Sequence, residues 1–182
     1  MRLHSLVVIR MRAVNLTFER ARPPELEELH AILTAAGLDM EERWGLSHWV
    51  PAYPLSRLRA AADAGRVYSV RRADSRIVGT FTLGRGAADY VPAEAWSEDP
   101  AMYVTQLAVH PDYQGVGIGR SCMQWIEGNA KRDGLRSVRF DASAAHEALL
   151  RFYRGQGYEE RARFWFRGTH LVCFEKILTP AG

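Results

Sequence analysis

Hydrophobic and polar positions along the chain fall into short, readable patterns after a first dozen residues that carry none. Residues 14–18 alternate apolar and polar side chains, as a half-buried strand does. Pro23-Pro24 followed by Glu25, Glu27 and Glu28 opens a helix with Leu26, Leu29, Ile32 and Leu33 on one face, and Gly37 is expected to end it. A connector holding Trp44, Trp49 and Tyr53 leads to Pro54 and a second short helix, marked by Leu55, Leu58 and Ala62 and closed by Gly65. Residues 67–71 and 77–83 are rich in β-branched and aromatic residues, and the polar stretch between them predicts a hairpin. A strand follows at 102–109, then a glycine-rich turn and a helix over 119–132 whose Met123, Ile126 and Ala130 form its buried stripe. The pattern closes with a strand at 137–141, a helix at 145–156 and two strands at 159–167 and 170–178. The order predicts a single α+β domain with an antiparallel middle and no internal repeat.

Residues 84–101 are the exception. This connection carries Asp89, Glu94, Glu98 and Asp99 and is long for a compact domain, which suits either a functional loop or a solvated insertion. Residues 1–13 read as an extension, with Met11 a candidate second start, residues 14–178 as the domain and 179–182 as a tail.

Composition narrows the classes. With 182 residues, 47% hydrophobic and 25% charged, the chain is neither disordered nor fibrous. Its 24 Lys and Arg against 21 Asp and Glu are scattered, so nucleic acid is not an expected partner. Cys122 and Cys173 form no CxxC pair, which argues against a disulfide framework or a cysteine zinc site. His146-Glu147 begins like an HExxH helix, but Leu150 stands where the second histidine belongs, so no metal is expected. Leu6-Val7-Val8-Ile9 is too short for a signal-peptide core, and no window is apolar enough to span a membrane. A cytoplasmic setting is the expectation, and the Asn15-Leu16-Thr17 match to a glycosylation acceptor is then coincidental.

The chemistry concentrates where the strand at 102–109 runs through His110-Pro111-Asp112-Tyr113 into Gln114-Gly115-Val116-Gly117-Ile118-Gly119-Arg120. Glycines after a strand leave backbone N–H groups uncovered, and the helix that follows presents its unpaired amides to an anion. A pyrophosphate suits such a turn. A dinucleotide fingerprint needs a further glycine where Arg120 or Cys122 stands, and a Walker loop needs a Gly-Lys pair that the chain lacks.

Gln114-Gly-Val-Gly117-Ile-Gly119 resembles the QxxGxG/A pyrophosphate loop of the GCN5-related N-acetyltransferases (GNAT), preceded as in that family by Leu107-Ala108-Val109 and His-Pro. Phe152-Tyr153-Arg-Gly-Gln-Gly157-Tyr158 is similar to the family's Tyr-x-x-x-Gly-Phe segment, and residues 172–178 resemble its last strand. The resemblance implies a mixed, mostly antiparallel central sheet flanked by helices on both faces, with acetyl-CoA as co-substrate. It implies that Leu107, Ala108 and Val109 pair with pantetheine through backbone groups, one N–H polarising the thioester carbonyl. Gln114, Gly115, Val116, Gly117, Ile118, Gly119 and Arg120 would hold the pyrophosphate. Tyr153 would protonate the departing thiolate, although a tyrosine at helical spacing from Leu149 is also an ordinary core residue. Where the family often has a cofactor-binding Asn, this chain has His146.

The implied reaction is direct attack of an amine on the thioester in a ternary complex, since no GxSxG elbow or strand cysteine offers a nucleophile. The strand at 103–109 contains no carboxylate, which leaves Glu98, Asp99, Asp141 or solvent as the base. Trp44, His48, Trp49 and Tyr53 with Asp39, Glu41 and Glu42 suggest an aromatic and acidic pocket for an amine, carried by a small molecule or a peptide; ordinary helix packing accounts for them equally. Phe164-Trp165-Phe166 puts one face in the core and leaves the other for the site or a homodimer contact. The competing readings are an acyl-CoA-binding or sensing domain without chemistry, and transfer of a different acyl group.

Overall fold

The computed structural model describes residues 15–47, 49–97 and 99–179. The extension at 1–13, Val14, His48, Glu98 and residues 180–182 of the tail lie outside the described residues. Seven strands form one sheet in the order β1-β2-β3-β4-β5-β7-β6. They are β1 (Leu16–Arg20), β2 (Val67–Arg72), β3 (Ile77–Gly84), β4 (Ala101–Val109), β5 (Ser137–Ser143), β6 (Glu159–Phe166) and β7 (Thr169–Ile177). Every neighbouring pair is antiparallel except β4 and β5. Among the described residues four α-helices accompany the sheet: α1 (Leu26–Trp44), α2 (Leu55–Asp63), α3 (Ile118–Arg132) and α4 (Glu147–Arg154).

The expected end of the first helix at Gly37 is wrong. The helix runs on to Trp44 and stops at Gly45, which takes the left-handed conformation, φ +65°. Gly37 serves packing instead: a Cβ there would come within 2.8 Å of the Trp49 Cβ, so the missing side chain lets the connector lie against the helix. That close contact offsets the roughly 1 kcal/mol a mid-helix glycine costs against alanine.

Helices cover both faces, as expected. On one face, Met123, Ile126 and Leu150 of α3 and α4 pack on Val78, Phe81, Val104, Val138 and Phe140. On the other, Leu29 and Leu33 of α1 and Leu58 of α2 pack on Val67, Ile77 and Ala108. The β5–β7 half of that second face is covered by the long connection, residues 85–100. Successive side chains of a strand point to opposite faces, so Val172 and Phe174 join the α3–α4 core while Cys173 between them meets Val91 and Ala95 of the connection.

A buried ion network ties the connection down. Glu175, 1% exposed, accepts from Arg139 Nε at 2.7 Å, Arg161 Nε at 2.9 Å and Ser97 Oγ at 2.6 Å. Arg139 also reaches Asp99 at 2.8 Å and lies over the Trp96 ring. Burial alone would raise the Glu175 carboxyl, but the Ser97 hydrogen bonds and the Arg139 guanidinium hold it at about 2. The segment is therefore a fastened flap. No helix among the described residues is long and apolar enough to cross a membrane.

Candidate active site

The sheet is split at its one parallel junction. β4 and β5 pair at Ala101↔Ser137, Met102↔Val138 and Tyr103↔Arg139, and the ladder then stops. Among the described residues the β4 edge facing β5 has no strand partner from Val104 onward, so its backbone amides and carbonyls are left out of the ladder. Against β3 the register shifts: Thr80 pairs with Ala108 but Thr82 with Thr105, so β4 carries an extra residue. This bulge is centred on Gln106, whose φ is +48°, and it bends the strand away from β5. Gly79 accommodates the bend, because a Cβ there would stand 2.8 Å from the Ala108 carbonyl oxygen.

A cavity of about 660 Å³ occupies the split. Its walls come from both faces of the sheet: Ala36, Met40 and Trp44 of α1 on one side, Ile118, Met123, Phe152 and Tyr153 of α3 and α4 on the other. The opening is thus a slot through the sheet. Residues 107–109, Gln114, Gly115, residues 117–120, His146 and Tyr153 all line it, so the predicted site residues come together apart from Val116, which is 54% exposed and outside the lining.

The turn at the slot's mouth has the geometry its glycines suggested. Gly115 (φ +76°) and Gly117 (φ +91°) take backbone conformations that side chains disfavour, and Gly117 is the N-cap of α3. The first amides of α3 thus face the mouth with the positive end of the helix dipole. Gln114 donates from Nε2 to the Val109 carbonyl at 3.1 Å, closing the turn onto the strand end. Its side chain is committed to the loop's own shape. Gly119 lets the first turn of α3 approach Phe152, with 3.5 Å between a notional Cβ and the ring.

Tyr153 is 7% exposed and packs against Phe140, Phe152 and Phe174. Burial, with smaller contributions from Asp141 and Cys122, pushes its phenol well above the ordinary range, so it stays protonated. His146 caps α4, its Nδ1 accepting from the Leu149 amide at 3.3 Å, and packs at a tilt against Trp44 with ring centroids 4.3 Å apart. Burial lowers its pKa, which leaves a neutral ring. Burial also raises both thiols to about 12, unsuited to nucleophilic attack.

Among the carboxylates considered as base, Asp141 lines the slot while Asp99 is exposed and tied to Arg139. Tyr90 of the long connection donates to Asp141 at 3.2 Å, a contact between residues 51 positions apart that no local pattern announced. The aromatic and acidic pocket assembles only in part. Trp44 and Trp49 line the slot, Tyr53 is half-buried with its carbonyl 2.7 Å from His30 Nε2, Asp39 pairs with Arg43, and Glu41 and Glu42 are exposed. On β6, Phe164 and Phe166 turn toward Tyr90 while Trp165 is 71% exposed, stacked on His170. Among the described residues no group of three or more His, Cys, Asp or Glu is placed to hold a metal ion.

The described residues thus form a split sheet with a glycine-turned helix terminus at one mouth of the slot and a protonated tyrosine inside it. Residues 28–158 match the model of the acetyltransferase (GNAT) family, and the chain belongs to that family. It is 34% identical over 87 residues to the uncharacterized N-acetyltransferase YesJ of Bacillus subtilis, covering 46% of this chain and 47% of that one. With the S-(2-succino)cysteine N-acetyltransferase of the same organism it shares 27% over 113 residues, 59% of this chain and 63% of the relative. The alignments thus span between about half and two thirds of these relatives' lengths. A GNAT-family acetyltransferase structure from Streptococcus agalactiae superposes with a TM-score of 0.75, covering 89% of this chain and 95% of that one at 15% identity, a likeness of fold.

Proposed function

We propose that the chain is an acetyl-CoA-dependent N-acetyltransferase that moves the acetyl group directly to a primary amine. The observation that carries this reading is the end of the β4–β5 ladder at Tyr103↔Arg139, which among the described residues leaves a strand edge without a strand partner beside the glycine-capped N-terminus of α3. Those features fit acetyl-CoA: the edge matches its pantetheine amides, the turn its pyrophosphate, and about 660 Å³ is ordinary for a ligand cavity. When bound, acetyl-CoA supplies an activated thioester.

The chain's own residues do the rest. Gly115, Val116 and Gly117 shape the cradle, and the amides of Ile118, Gly119 and Arg120 hold the pyrophosphate with the Arg120 side chain beside them. Leu107, Ala108 and Val109 align the pantetheine, one of their N–H groups acting as oxyanion donor. Gln114 fixes the turn, and His146 caps α4 so that Tyr153 is presented to the leaving sulfur as a proton donor. Residues 14–178 form the catalytic unit. A cytoplasmic setting supplies acetyl-CoA and suits two unpaired thiols.

Thermal unfolding in the presence of CoA, acetyl-CoA, NADH and ATP tests binding. CoA and acetyl-CoA alone are expected to raise the midpoint, by about 2.7 kcal/mol of stabilisation at a hundredfold excess over Kd. Thiol release with an amine panel then tests chemistry: Tyr153→Phe should lower kcat by roughly 10²–10⁴-fold with CoA affinity intact. Binding without transfer would make the chain an acyl-CoA-binding domain, and no binding would remove the reading.

A further inference from the structure

The half of the slot facing α1 has a chemistry of its own. Val138, Phe140 and Ala142 of β5 belong to the α3–α4 core, so Asp141 and Ser143 point to the opposite face, toward α1 and the long connection. Among the described residues, Asp141 is the only carboxylate in the slot's lining, and Arg120, at the glycine turn, its only arginine or lysine. The walls on the α1 side are Met40, Trp44 and Trp49.

Among the described residues, Asp141 accepts a side-chain hydrogen bond only from Tyr90, which leaves carboxylate lone pairs free. Behind it, on the same face of β4, the Tyr103 hydroxyl is buried with no hydrogen-bond partner among the described residues. Among the described residues, Tyr90 of the connection, Tyr103 of β4, Cys173 of β7 and Tyr153 of α4 feel the Asp141 charge. Burial holds all four protonated. Glu175 is locked among Arg139, Arg161 and Ser97, and Asp99 lies outside the lining.

We propose that Asp141, positioned by Tyr90, binds the acceptor's ammonium and takes its proton, and that the acceptor is a primary amine on an apolar or aromatic skeleton with no carboxylate beside the nitrogen. This rests on the acyl-transfer reading of the slot. A carboxylate in that position would be repelled by Asp141, with Arg120 of the glycine turn the one lysine or arginine among the described lining residues, whereas an aromatic or alkyl body meets Met40, Trp44 and Trp49. A second distant ammonium, as in a polyamine, finds no second carboxylate among the described residues of the lining.

The proton balance is complete. Asp141 takes one proton from the ammonium and passes it to water, which frees the nitrogen lone pair. The C–N bond forms as the C–S bond breaks, and the sulfur departs with the bonding pair. Tyr153 gives its proton to that sulfur and regains one from the nitrogen through solvent. The net products are the amide, free CoA thiol and one proton.

The test compares 2-phenylethylamine, L-phenylalanine and spermidine as acceptors, with CoA binding measured alongside by calorimetry. The wild type is expected to favour 2-phenylethylamine by at least about tenfold in kcat/KM over the other two. Asp141→Asn should lower kcat/KM for it by roughly 10²–10⁴-fold with CoA affinity unchanged. Tyr90→Phe, which keeps the ring, should lower it by roughly tenfold and serves where the first variant does not fold. Unchanged rates in either folded variant, a preference for L-phenylalanine or spermidine, or no transfer to any of the three with CoA bound would overturn the proposal. Failure of the wild type to bind CoA would instead overturn the reading of the slot itself.

Discussion

Two connections flank the slot and are built on opposite plans. Residues 110–117 make a short turn whose working parts are backbone: two positive-φ glycines, an N-cap and the amides of a helix terminus. Residues 85–100 make a long one whose working parts are side chains fastened from afar, Tyr90 to Asp141, Ser97 to Glu175 and Trp96 beneath Arg139. A backbone cradle must be written as closely spaced glycines beside a strand end, so its chemistry is local. A side-chain clamp assembles from whatever the sheet brings together, and its parts need no fixed spacing.

The sharpest way to break this contrast is to remove the clamp's central charge. Glu175→Gln leaves Arg139 buried with its main partner gone, and losing one member of a buried pair costs about 3–5 kcal/mol. The melting temperature should fall accordingly, and protease nicking should appear within 85–100. The pH dependence carries the same signature. With its folded pKa at about 2 against 4.5, Glu175 contributes stability that is complete above about pH 4.5 and is lost as pH falls toward 2. Acid titration of the variant should lack that component, and its presence unchanged would show that the clamp does not hold the segment.

The reciprocal change is Gly117→Val, which forces a β-branched residue to φ +91° and should cost about 1–3 kcal/mol. CoA affinity should fall roughly 10- to 100-fold by calorimetry, with the 85–100 segment as protease-resistant as before. Loss of both together would mean that the two connections are one cooperative unit. The smallest effect is expected of Gln114→Ala, which deletes one exposed hydrogen bond to Val109 and should weaken CoA binding by about 1 kcal/mol.

The same contrast explains what could be read from the sequence. The strand, glycine turn and helix of the cradle were legible because one short segment holds all of them, and Tyr153 followed from its resemblance to a second motif. The bulge at Gln106 was not: no glycine or proline marks it, and it exists because Gly79 on the neighbouring strand yields space. Gly37 misled because a glycine kept for packing looks, in one dimension, like a glycine that ends a helix. Asp141 stood undistinguished among several carboxylates until the sheet turned it toward the slot and Tyr90 beside it. The acidic edge at Glu41 and Glu42 failed as a pocket for the converse reason, since the longer helix carries those residues on its solvent side.

The slot through the sheet has an evolutionary consequence. On the proposed reading, a partition with one doorway lets the donor enter from the α3–α4 side and the acceptor from the side of α1 and the long connection. Substitutions on the second side can then change which amine is accepted while the phosphate turn stays as it is. Such a lineage diversifies by refitting one room of the molecule, and relatives that share its donor half need not share its acceptor.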